Sequence, residues 1–491
     1  MEWTRTERYR KLEDTSPEEL SELTAKVAHC PWRQSFHIQP ETGLLNDPNG
    51  FAYYEGEYHL FYQWFPLGPV HGLKYWYHTK SKDLVHWENA GVGIRPGGAF
   101  DSHGAYSGSG IVHDGLLYLM YTGNTRDEQW ERRPYQCMAV MRPDGSISKF
   151  EAPLVSGAPD GYTEHFRDPK VWEEDGTFYA VIGAQRKDHT GCALLYQSSD
   201  LKRWSFAGEI KTSPKLRSFG YMWECPDYFE LDGSGVLMFC PQGIEADGER
   251  FRNIYQAGYV AGEKLNPDSR ELKHGAFHEL DRGFDFYASQ TTLAPDGRRI
   301  MIGWMGLPDI ACPTDSYGWA HCLSLPRELR LLDGKLRQLP VQELRALRGQ
   351  ESFAEGELNA ESISPKGFAG TRYEMICEFE NRDARSFGLA FRSGNGQRTV
   401  LSCDSIQGRL TLDRTLSGAP VAAEYGTVRS CAVDAERLKL HLFVDTSSVE
   451  VFVNDGEEVF TARIFPDQGS KGISLFASGG QAVYKASKWD Y

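Results

Sequence analysis

The stretch GEYHLFYQW (Gly56–Trp64) decides the fold, because four later stretches repeat its pattern of a glycine followed by an apolar and aromatic strand. The five glycines are spaced 59, 61, 59 and 62 residues apart. A regular period of short strands is typical of a β-propeller, although accidental spacing in a β-rich chain is the alternative. The later stretches are GLLYLMYTG (Gly115–Gly123), GTFYAVIGA (Gly176–Ala184), GVLMFCPQG (Gly235–Gly243) and GRRIMIGWMG (Gly297–Gly306).

A second repeated turn supports this period. SKDLVHWE begins at Ser81 and SSDLKRWSF at Ser198, 117 residues later, which is two periods. Each segment indicates a turn that leads into a strand carrying an edge tryptophan. The sequence therefore predicts an all-β fold with a five-bladed β-propeller. Its period of about sixty exceeds the ~40–45 residues of common propeller repeats, so long loops are expected.

The pattern changes after the fifth repeat. From about residue 352 the chain alternates in the manner of a β-sandwich, with a hairpin predicted around Asp445–Ser448. Ser16 and Pro17 open a short capped helix in SPEELSELTAKV. We predict four units: an N-terminal helical extension (1–32), the propeller (33–338), a linker (339–351) and a C-terminal β-sandwich (352–491).

Composition and charge exclude several classes of function. The chain has 491 residues with 53 basic and 68 acidic side chains, a net charge of −15, which disfavours nucleic acid and anionic membranes as partners. No signal-like or membrane-spanning stretch is visible, and the ten cysteines form no CxxC pair. We expect a cytoplasmic protein that acts on a small molecule. No metal-binding or nucleotide-binding motif occurs, so neither a metal nor a cofactor is expected.

One polar residue precedes each repeat strand at a similar distance. Asp47, Ser107, Asp168, Glu224 and Tyr287 lie nine, eight, eight, eleven and ten residues before the repeat glycine. If the blades are equivalent, these residues occupy the same inner strand of each blade. Inner strands line the central channel, so the spacing predicts that the five side chains converge at one mouth.

Three of these converging residues are carboxylates, which is the equipment of a glycoside hydrolase. Arg167 is expected to keep the adjacent Asp168 ionised, and the apolar neighbours of Glu224 are expected to raise its pKa. These surroundings favour Glu224 as the acid and Asp47 as the nucleophile. For Asp47 alone, a turn residue is an equally good interpretation.

Weaker candidates surround this trio. Gln63 ends a repeat strand and could contact a sugar, and Trp76, Trp304 and Trp319 could be sugar platforms, although core packing is the more common role of tryptophan. His71 and Lys74 could form a small basic site, with a solvated loop as the alternative.

At these residues the chain resembles glycoside hydrolase family 32, the β-fructofuranosidases, over about residues 33–491. The resemblance is closest to the intracellular bacterial branch that acts on sucrose 6-phosphate. The matching motifs are NDPNG (Asn46–Gly50), YSGS (Tyr106–Ser109), RDP (Arg167–Pro169), EC (Glu224–Cys225), DFYA (Asp285–Ala288), LPREL (Leu325–Leu329) and SSVEVFVNDG (Ser447–Gly456).

This resemblance implies a five-bladed propeller followed by a β-sandwich, and a retaining double displacement. Asp47 would attack the fructosyl carbon, Glu224 would serve as acid and then base, and Asp168 would bind fructose hydroxyls. Retention would require the carboxyl groups of Asp47 and Glu224 to lie roughly 5–5.5 Å apart. The fructosyl ring would be held by Asn46, Gln63, Tyr106, Ser107 and Arg167.

Two departures from the family pattern bear on the substrate. Leu44 and Leu45 replace a common Trp-Met pair, which predicts an aliphatic wall in the pocket. His71 stands where many members have tryptophan, and with Lys74 it suggests a phosphorylated substrate. Sucrose, sucrose 6-phosphate and short fructans all remain open, as do a monomer and a homodimer. Alternatives to the fructosidase are a non-catalytic sugar-binding propeller and an inverting pentosidase on a related fold.

Overall fold

The computed structural model describes residues 3–491 and contains seven β-sheets with few helices. The longer α-helix, Pro17–Ala28, begins as predicted: the Ser16 hydroxyl accepts a hydrogen bond from the Glu19 amide. No helix within residues 3–491 has the length and apolarity to cross a membrane. The remaining helices are Arg5–Arg8 (α) and the 3₁₀ turns Leu12–Asp14, Pro214–Leu216, Pro313–Tyr317, Gln342–Leu347 and Ala423–Tyr425.

Five of the sheets are the blades of a propeller, which confirms the predicted fold class. In each blade, four strands pair antiparallel in chain order. Blade I comprises Gly43–Tyr54, Glu57–Phe65, Tyr75–Ser81 and Trp87–Ile94. Blade II comprises Ala105–His113, Leu116–Arg126, Arg132–Met141 and Ile147–Lys149, with Val155–Ser156 added beside the third strand. Blade III comprises Tyr162–Glu174, Thr177–Arg186, Gly191–Ser198 and Ser205–Glu209.

The last two blades complete the circle. The first strand of blade V contacts the first strand of blade I, and Trp319–Ala320 pairs parallel to that blade I strand. Blade IV comprises Met222–Leu231, Ser234–Gln242, Gly258–Gly262 and His278–Glu279. Blade V comprises Tyr287–Leu293, Arg299–Met305, Arg327–Leu332 and Lys335–Pro340, with Cys322–Leu323 added beside the second strand.

The repeat glycines mark the turns into the second strands, with one exception. Gly56, Gly115, Gly176 and Gly297 have φ angles of 83°, 70°, 75° and 88°, which other residues adopt at a cost. In blade IV the turn is formed instead by Gly233, with φ 80°, and Gly235 lies within the strand.

The C-terminal part is a sandwich of two six-stranded sheets around its own apolar core. The predicted hairpin is confirmed, because Arg437–Asp445 pairs antiparallel with Ser448–Val453. One sheet has the order Glu351–Asn359, Gln481–Asp490, Tyr373–Asn381, Arg437–Asp445, Ser448–Val453 and Glu458–Arg463. The other has the order Ser362–Ile363, Gly472–Ser478, Ser386–Gly394, Gln397–Asp404, Arg409–Leu416 and Val428–Ala432. The predicted limits of the four units stay predictions.

Buried charges join the sandwich to the propeller. The His37 ring contacts Asp445 through Nδ1 at 2.8 Å and Glu450 through Nε2 at 3.1 Å, and all three side chains are fully buried. Arg327 donates to Glu450 Oε2 at 2.6 Å and to Asp281 Oδ2 at 3.2 Å. Each charge in this network therefore has a partner of opposite sign, as burial of charge requires.

Candidate active site

A β-bulge interrupts the inner strand of every blade at its polar motif. A bulge bends the strand and re-aims side chains, so the five motifs are presented at the same level of the channel. In blades III to V, one bulge residue has a left-handed backbone: Asp168 (φ 67°), Cys225 (φ 47°) and Ala288 (φ 49°). The register shifts lie between Leu45 and Pro48, Ala105 and Gly108, Arg167 and Lys170, Glu224 and Asp227, and Tyr287 and Gln290.

These side chains meet in one cavity of about 380 Å³. A larger cavity of about 810 Å³ is lined by later residues of the same inner strands, and none of the predicted site residues lies in its wall. Ser107 lies outside the wall of the smaller cavity and hydrogen-bonds Asp47. The predicted residues that line the smaller cavity are Asn46, Asp47, Gln63, His71, Lys74, Tyr106, Arg167, Asp168, Glu224, Tyr287 and Trp304.

Asp47 is held by donors from blades I and II. Its Oδ1 accepts from Asn46 Nδ2 at 3.0 Å, and its Oδ2 accepts from Ser107 Oγ at 2.5 Å and from Gln63 Nε2 at 3.2 Å. Burial raises its pKa, the hydrogen bonds from Ser107 and Asn46 oppose this rise, and the charge of Glu224 adds to it. The donors therefore orient a carboxylate that burial holds in a reactive, poorly solvated state.

Glu224 is clamped on both oxygens. Oε1 accepts from Arg167 Nη2 at 2.6 Å and from Nε at 2.9 Å, while Oε2 accepts from Tyr287 OH at 2.7 Å and Gln242 Nε2 at 2.8 Å. Burial alone would raise its pKa, but Arg167 and these hydrogen bonds outweigh burial and lower it. These contacts favour the ionised form of Glu224.

Asp168 has its pKa shifted in the direction opposite to that of Glu224. Its Oδ2 accepts from the Cys225 amide at 3.0 Å, whereas the Arg167 Nε atom is 4.0 Å away. Burial raises the pKa of Asp168 to about 7, Glu224 and Asp47 add to the rise, and Arg167 opposes it. Because the two carboxyl groups interact, the proton with this pKa belongs to the Asp168–Glu224 pair.

Two expectations about these carboxylates were therefore wrong. Arg167 was expected to keep its neighbour Asp168 ionised, but its guanidinium binds Glu224 in the next blade. Glu224 was expected to have a raised pKa, but its apolar sequence neighbours Met222 and Trp223 are buried in the strand, and polar groups from other blades surround its carboxyl. The groups that contact the Glu224 carboxyl come from neighbouring strands and blades, so its neighbours in sequence do not define its surroundings.

The expected aliphatic wall is also absent. Leu44 and Leu45 do not line the cavity: both are buried, and Leu45 packs within the hydrophobic core that blade I shares with blades IV and V. The strand bulges only after Leu45, so this residue still pairs regularly with Trp64 in the neighbouring strand.

The proposed basic pair, His71 and Lys74, carries less positive charge than expected. Lys74 Nζ donates to Asn46 Oδ1 at 2.6 Å, and burial lowers the pKa of Lys74 to about 7. Burial holds the pKa of His71 well below 6.5, so its ring is neutral. Both residues line the cavity, but they do not supply the pair of fixed positive charges expected for a phosphoryl group.

Sequence reasoning missed several residues of the wall. Gln242 had a signal, because it lies seven residues after its repeat glycine, as Gln63 and Trp304 do after theirs. Arg8 and Tyr9 come from the N-terminal extension, where no repeat marks them. The other missed residues are Gly72, Arg132, Tyr255, Pro308 and Asp309.

Comparison with known proteins gives close relatives over the whole chain. The sucrose-6-phosphate hydrolase of Staphylococcus xylosus is 48% identical over 489 residues, covering 100% of this chain and 98% of that protein. The sucrose-6-phosphate hydrolase of Bacillus subtilis (strain 168) is 43% identical over 455 residues, covering 91% and 92% of the two chains.

Solved structures agree with these relatives. The sucrose-6-phosphate hydrolase from Lactobacillus gasseri has a TM-score of 0.93 at 40% identity, covering 100% of this chain and 99% of that chain. A mutant GH32 beta-fructofuranosidase of Bombyx mori, in complex with sucrose, has a TM-score of 0.82 at 34% identity, covering 96% and 98%.

The family domains match the two architectural parts in order. Residues 37–340 match the N-terminal domain of glycosyl hydrolases family 32, and residues 342–490 match the C-terminal domain. Together with the five-bladed propeller, the sandwich and the three converging carboxyl groups, these matches lead to one conclusion: the chain belongs to glycosyl hydrolase family 32 and is a glycosidase.

Proposed function

We propose that this enzyme hydrolyses the β-fructofuranosyl bond of sucrose 6-phosphate with net retention, releasing fructose and glucose 6-phosphate. The observation that carries the proposal is the convergence of Asp47, Asp168 and Glu224, from three different blades, on one cavity. The names of the relatives support the choice of substrate.

Asp47 is the nucleophile in this proposal. Its carboxylate attacks the anomeric carbon of the fructosyl unit and forms a covalent ester while the bond to the glycosidic oxygen breaks. The donors Asn46, Gln63 and Ser107 hold the carboxylate in one orientation before the substrate arrives, which lowers the entropy cost of reaching the transition state.

Glu224 is the acid and then the base. It needs one proton to release the glycosidic oxygen, and the Asp168–Glu224 pair holds one proton up to about pH 7. Fructosyl hydroxyls that donate to Asp168 favour its ionised form, which leaves the shared proton on Glu224. Glu224 gives this proton to the departing glucose 6-phosphate, removes one from the incoming water, and water then cleaves the ester to free fructose and Asp47.

The rest of the wall binds the sugar. Asn46, Gln63, Tyr106 and Arg167 offer hydrogen-bonding groups, and the ring of Trp304 offers an apolar face. Trp304 is held in place by its Nε1–H, which donates to His321 Nδ1 at 2.9 Å. A phosphorylated disaccharide does not cross a lipid bilayer unaided, so we place this activity in the cytoplasm.

The test is to measure kcat/KM for sucrose 6-phosphate and for sucrose on the purified protein. We expect hydrolysis with a preference for the phosphorylated sugar, and a loss of at least about 10⁴-fold in the Asp47→Ala variant. The melting temperature of the variant shows whether it is folded. Hydrolysis of neither substrate by the folded wild-type protein would overturn the proposal.

The configuration of the first product separates the retaining mechanism from an inverting one. NMR spectra recorded within the first turnovers should show β-fructofuranose before mutarotation. If the α-anomer forms first, Asp47 activates water instead of attacking the substrate, and its role as nucleophile must be abandoned.

A further inference from the structure

The N-terminal segment lies across the mouth of the active site, outside the region that matches the family domains. The Arg8 carbonyl accepts a hydrogen bond from the Leu73 amide at 2.7 Å, and Arg8 Nη1 donates to the His71 carbonyl at 3.3 Å. Tyr9 packs edge-to-face on Trp130, with 5.3 Å between ring centroids. Two residues of the extension, Arg8 and Tyr9, thereby enter the cavity wall.

Glycines in the blade I loop make room for this segment. A Cβ atom on Gly72 would lie 2.4 Å from the Arg8 carbonyl oxygen, and one on Gly68 would lie 2.1 Å from the Trp3 ring. Atoms cannot approach so closely, so the loop accepts the segment only because these two positions lack side chains. The position of Arg8 is therefore determined by both the extension and the loop.

Blade II brings two more arginines to the same side. Arg132 lines the cavity, with its guanidinium 5.7 Å from the centre of the Tyr106 ring. Arg126 lies 5.7 Å from the centre of the Trp130 ring, donates to the Trp130 carbonyl at 3.2 Å, and its buried Nε has no hydrogen-bond partner.

These three arginines are not neutralised by the protein. Neither Arg8, Arg126 nor Arg132 forms an ion pair with a carboxylate anywhere in residues 3–491. Their neighbours do: Arg133 lies 3.1 Å from Asp127, and Arg167 lies 2.6 Å from Glu224. In a chain of net charge −15, a group of arginines without carboxylate partners at an active-site mouth indicates an anionic ligand.

Arg8 and Arg132 line the same cavity as Glu224, the acid that protonates the departing sugar in the proposed function. Burial lowers the pKa of Arg132, the charges of Arg167 and Arg126 lower it further, and Tyr106 and Glu224 oppose them. Lys74, by contrast, contacts Asn46 next to the nucleophile.

We propose that Arg8 and Arg132, with Arg126 beside them, bind the phosphoryl group of the departing sugar, so that the N-terminal extension determines the preference for phosphorylated substrate. This proposal rests on the proposed function and names the residues that bind the phosphoryl group of the substrate. Guanidinium groups suit this task because they pair with phosphate oxygens in two-pronged hydrogen bonds.

The experiment compares kcat/KM for sucrose 6-phosphate and sucrose in Arg8→Gln and Arg132→Gln. We expect the ratio of the two values to fall about 10- to 100-fold in each variant. Arg133→Gln is the matched control, since Arg133 is exposed, adjacent in sequence and paired with Asp127, and its ratio should equal that of the wild type. A ratio that stays at the wild-type value in both test variants would overturn the proposal.

Two further measurements distinguish a loss of phosphate binding from misfolding of the arginine variants. Gly72→Ala leaves every charge in place but pushes on the Arg8 carbonyl, so it should lower the same ratio. Glucose 6-phosphate should inhibit wild type competitively and inhibit Arg8→Gln and Arg132→Gln about tenfold more weakly; equal inhibition would contradict the proposal. A wild-type enzyme that hydrolyses neither sugar would instead overturn the proposed function, which separates the two failures.

Discussion

The active-site cavity and the boundary between propeller and sandwich both bury many charges, but they compensate them differently. At the boundary, His37, Arg327, Asp445 and Glu450 pair with one another, and the pKa values of both acids are lowered. In the cavity, burial raises the pKa of Asp168. The boundary charges stabilise the fold, whereas the cavity keeps groups in unfavourable states that the substrate relieves.

The largest effect is expected at Asp168, whose buried carboxyl group should serve catalysis but lower the stability of the folded protein. Asp168→Asn should lower kcat about 10³-fold, because an amide neither stabilises developing positive charge nor shares a proton with Glu224. At pH 8 the free energy of unfolding of the same variant should be about 1–3 kcal/mol higher than that of wild type. The reason is that the pKa of Asp168, about 7, lies above the usual 3.8, so its carboxylate destabilises the folded state once it ionises.

Steady-state kinetics and urea unfolding measure the two effects on one preparation. Asp160→Asn is the matched control, because Asp160 is exposed in the loop before the blade III inner strand. A destabilised Asp168→Asn protein would show that the cavity compensates its charges as fully as the boundary does.

The next effect lies at the boundary. Arg327→Met should lower the free energy of unfolding by about 3–5 kcal/mol, because it leaves Asp281 buried without a cation and leaves Glu450 with His37 as its only one. Arg330→Met, three residues along the chain, removes an arginine that is 64% exposed and should change the free energy by less than about 1 kcal/mol.

Thermal and urea unfolding of the two variants test this expectation, with kcat measured well below the melting temperature. If Arg327→Met is as stable as wild type, the boundary network does not hold the two parts together. A kcat close to that of wild type is expected, since Arg327 does not line the cavity.

The smallest effect is a dependence of stability on pH. Asp445 and Glu450 raise the pKa of His37 to about 9 and more than offset its burial. The stabilisation from the charged ring is therefore complete below pH 6.5, the usual pKa of histidine, and is lost as the pH rises through about 9, by up to about 3 kcal/mol. The two acids have lowered pKa values, so their contribution is lost only on acidification.

Urea midpoints at pH 6 and pH 9 for wild type and His37→Gln measure the stabilisation that the charged His37 ring provides. The two proteins should differ most at pH 6 and converge toward pH 9. His86→Gln, which changes an exposed histidine of blade I, is the control. A difference between wild type and His37→Gln that does not depend on pH would show that the ring is not charged in the folded protein.

Much of the site could be predicted because the repeat carries geometric information. A similar offset of eight to eleven residues from the repeat glycine placed Asp47, Ser107, Asp168, Glu224 and Tyr287 on inner strands, and each lies there. Gln242 could have been found in a similar way, because it lies seven residues after its repeat glycine, as Gln63 and Trp304 do. The partner of Arg167 could not be predicted, since the contact with Glu224 crosses from one blade to the next.

The sequence by itself determined the blade pattern, the hairpin of the sandwich, the capped helix and the convergence of three carboxyl groups, because strand alternation, turns and caps are local. Only the tertiary structure decided which carboxyl group has the raised pKa, that Leu45 belongs to the core, and that Arg8 reaches the mouth of the cavity. Burial and charge pairing depend on residues far apart in the chain, and a sequence pattern does not record how closely they approach.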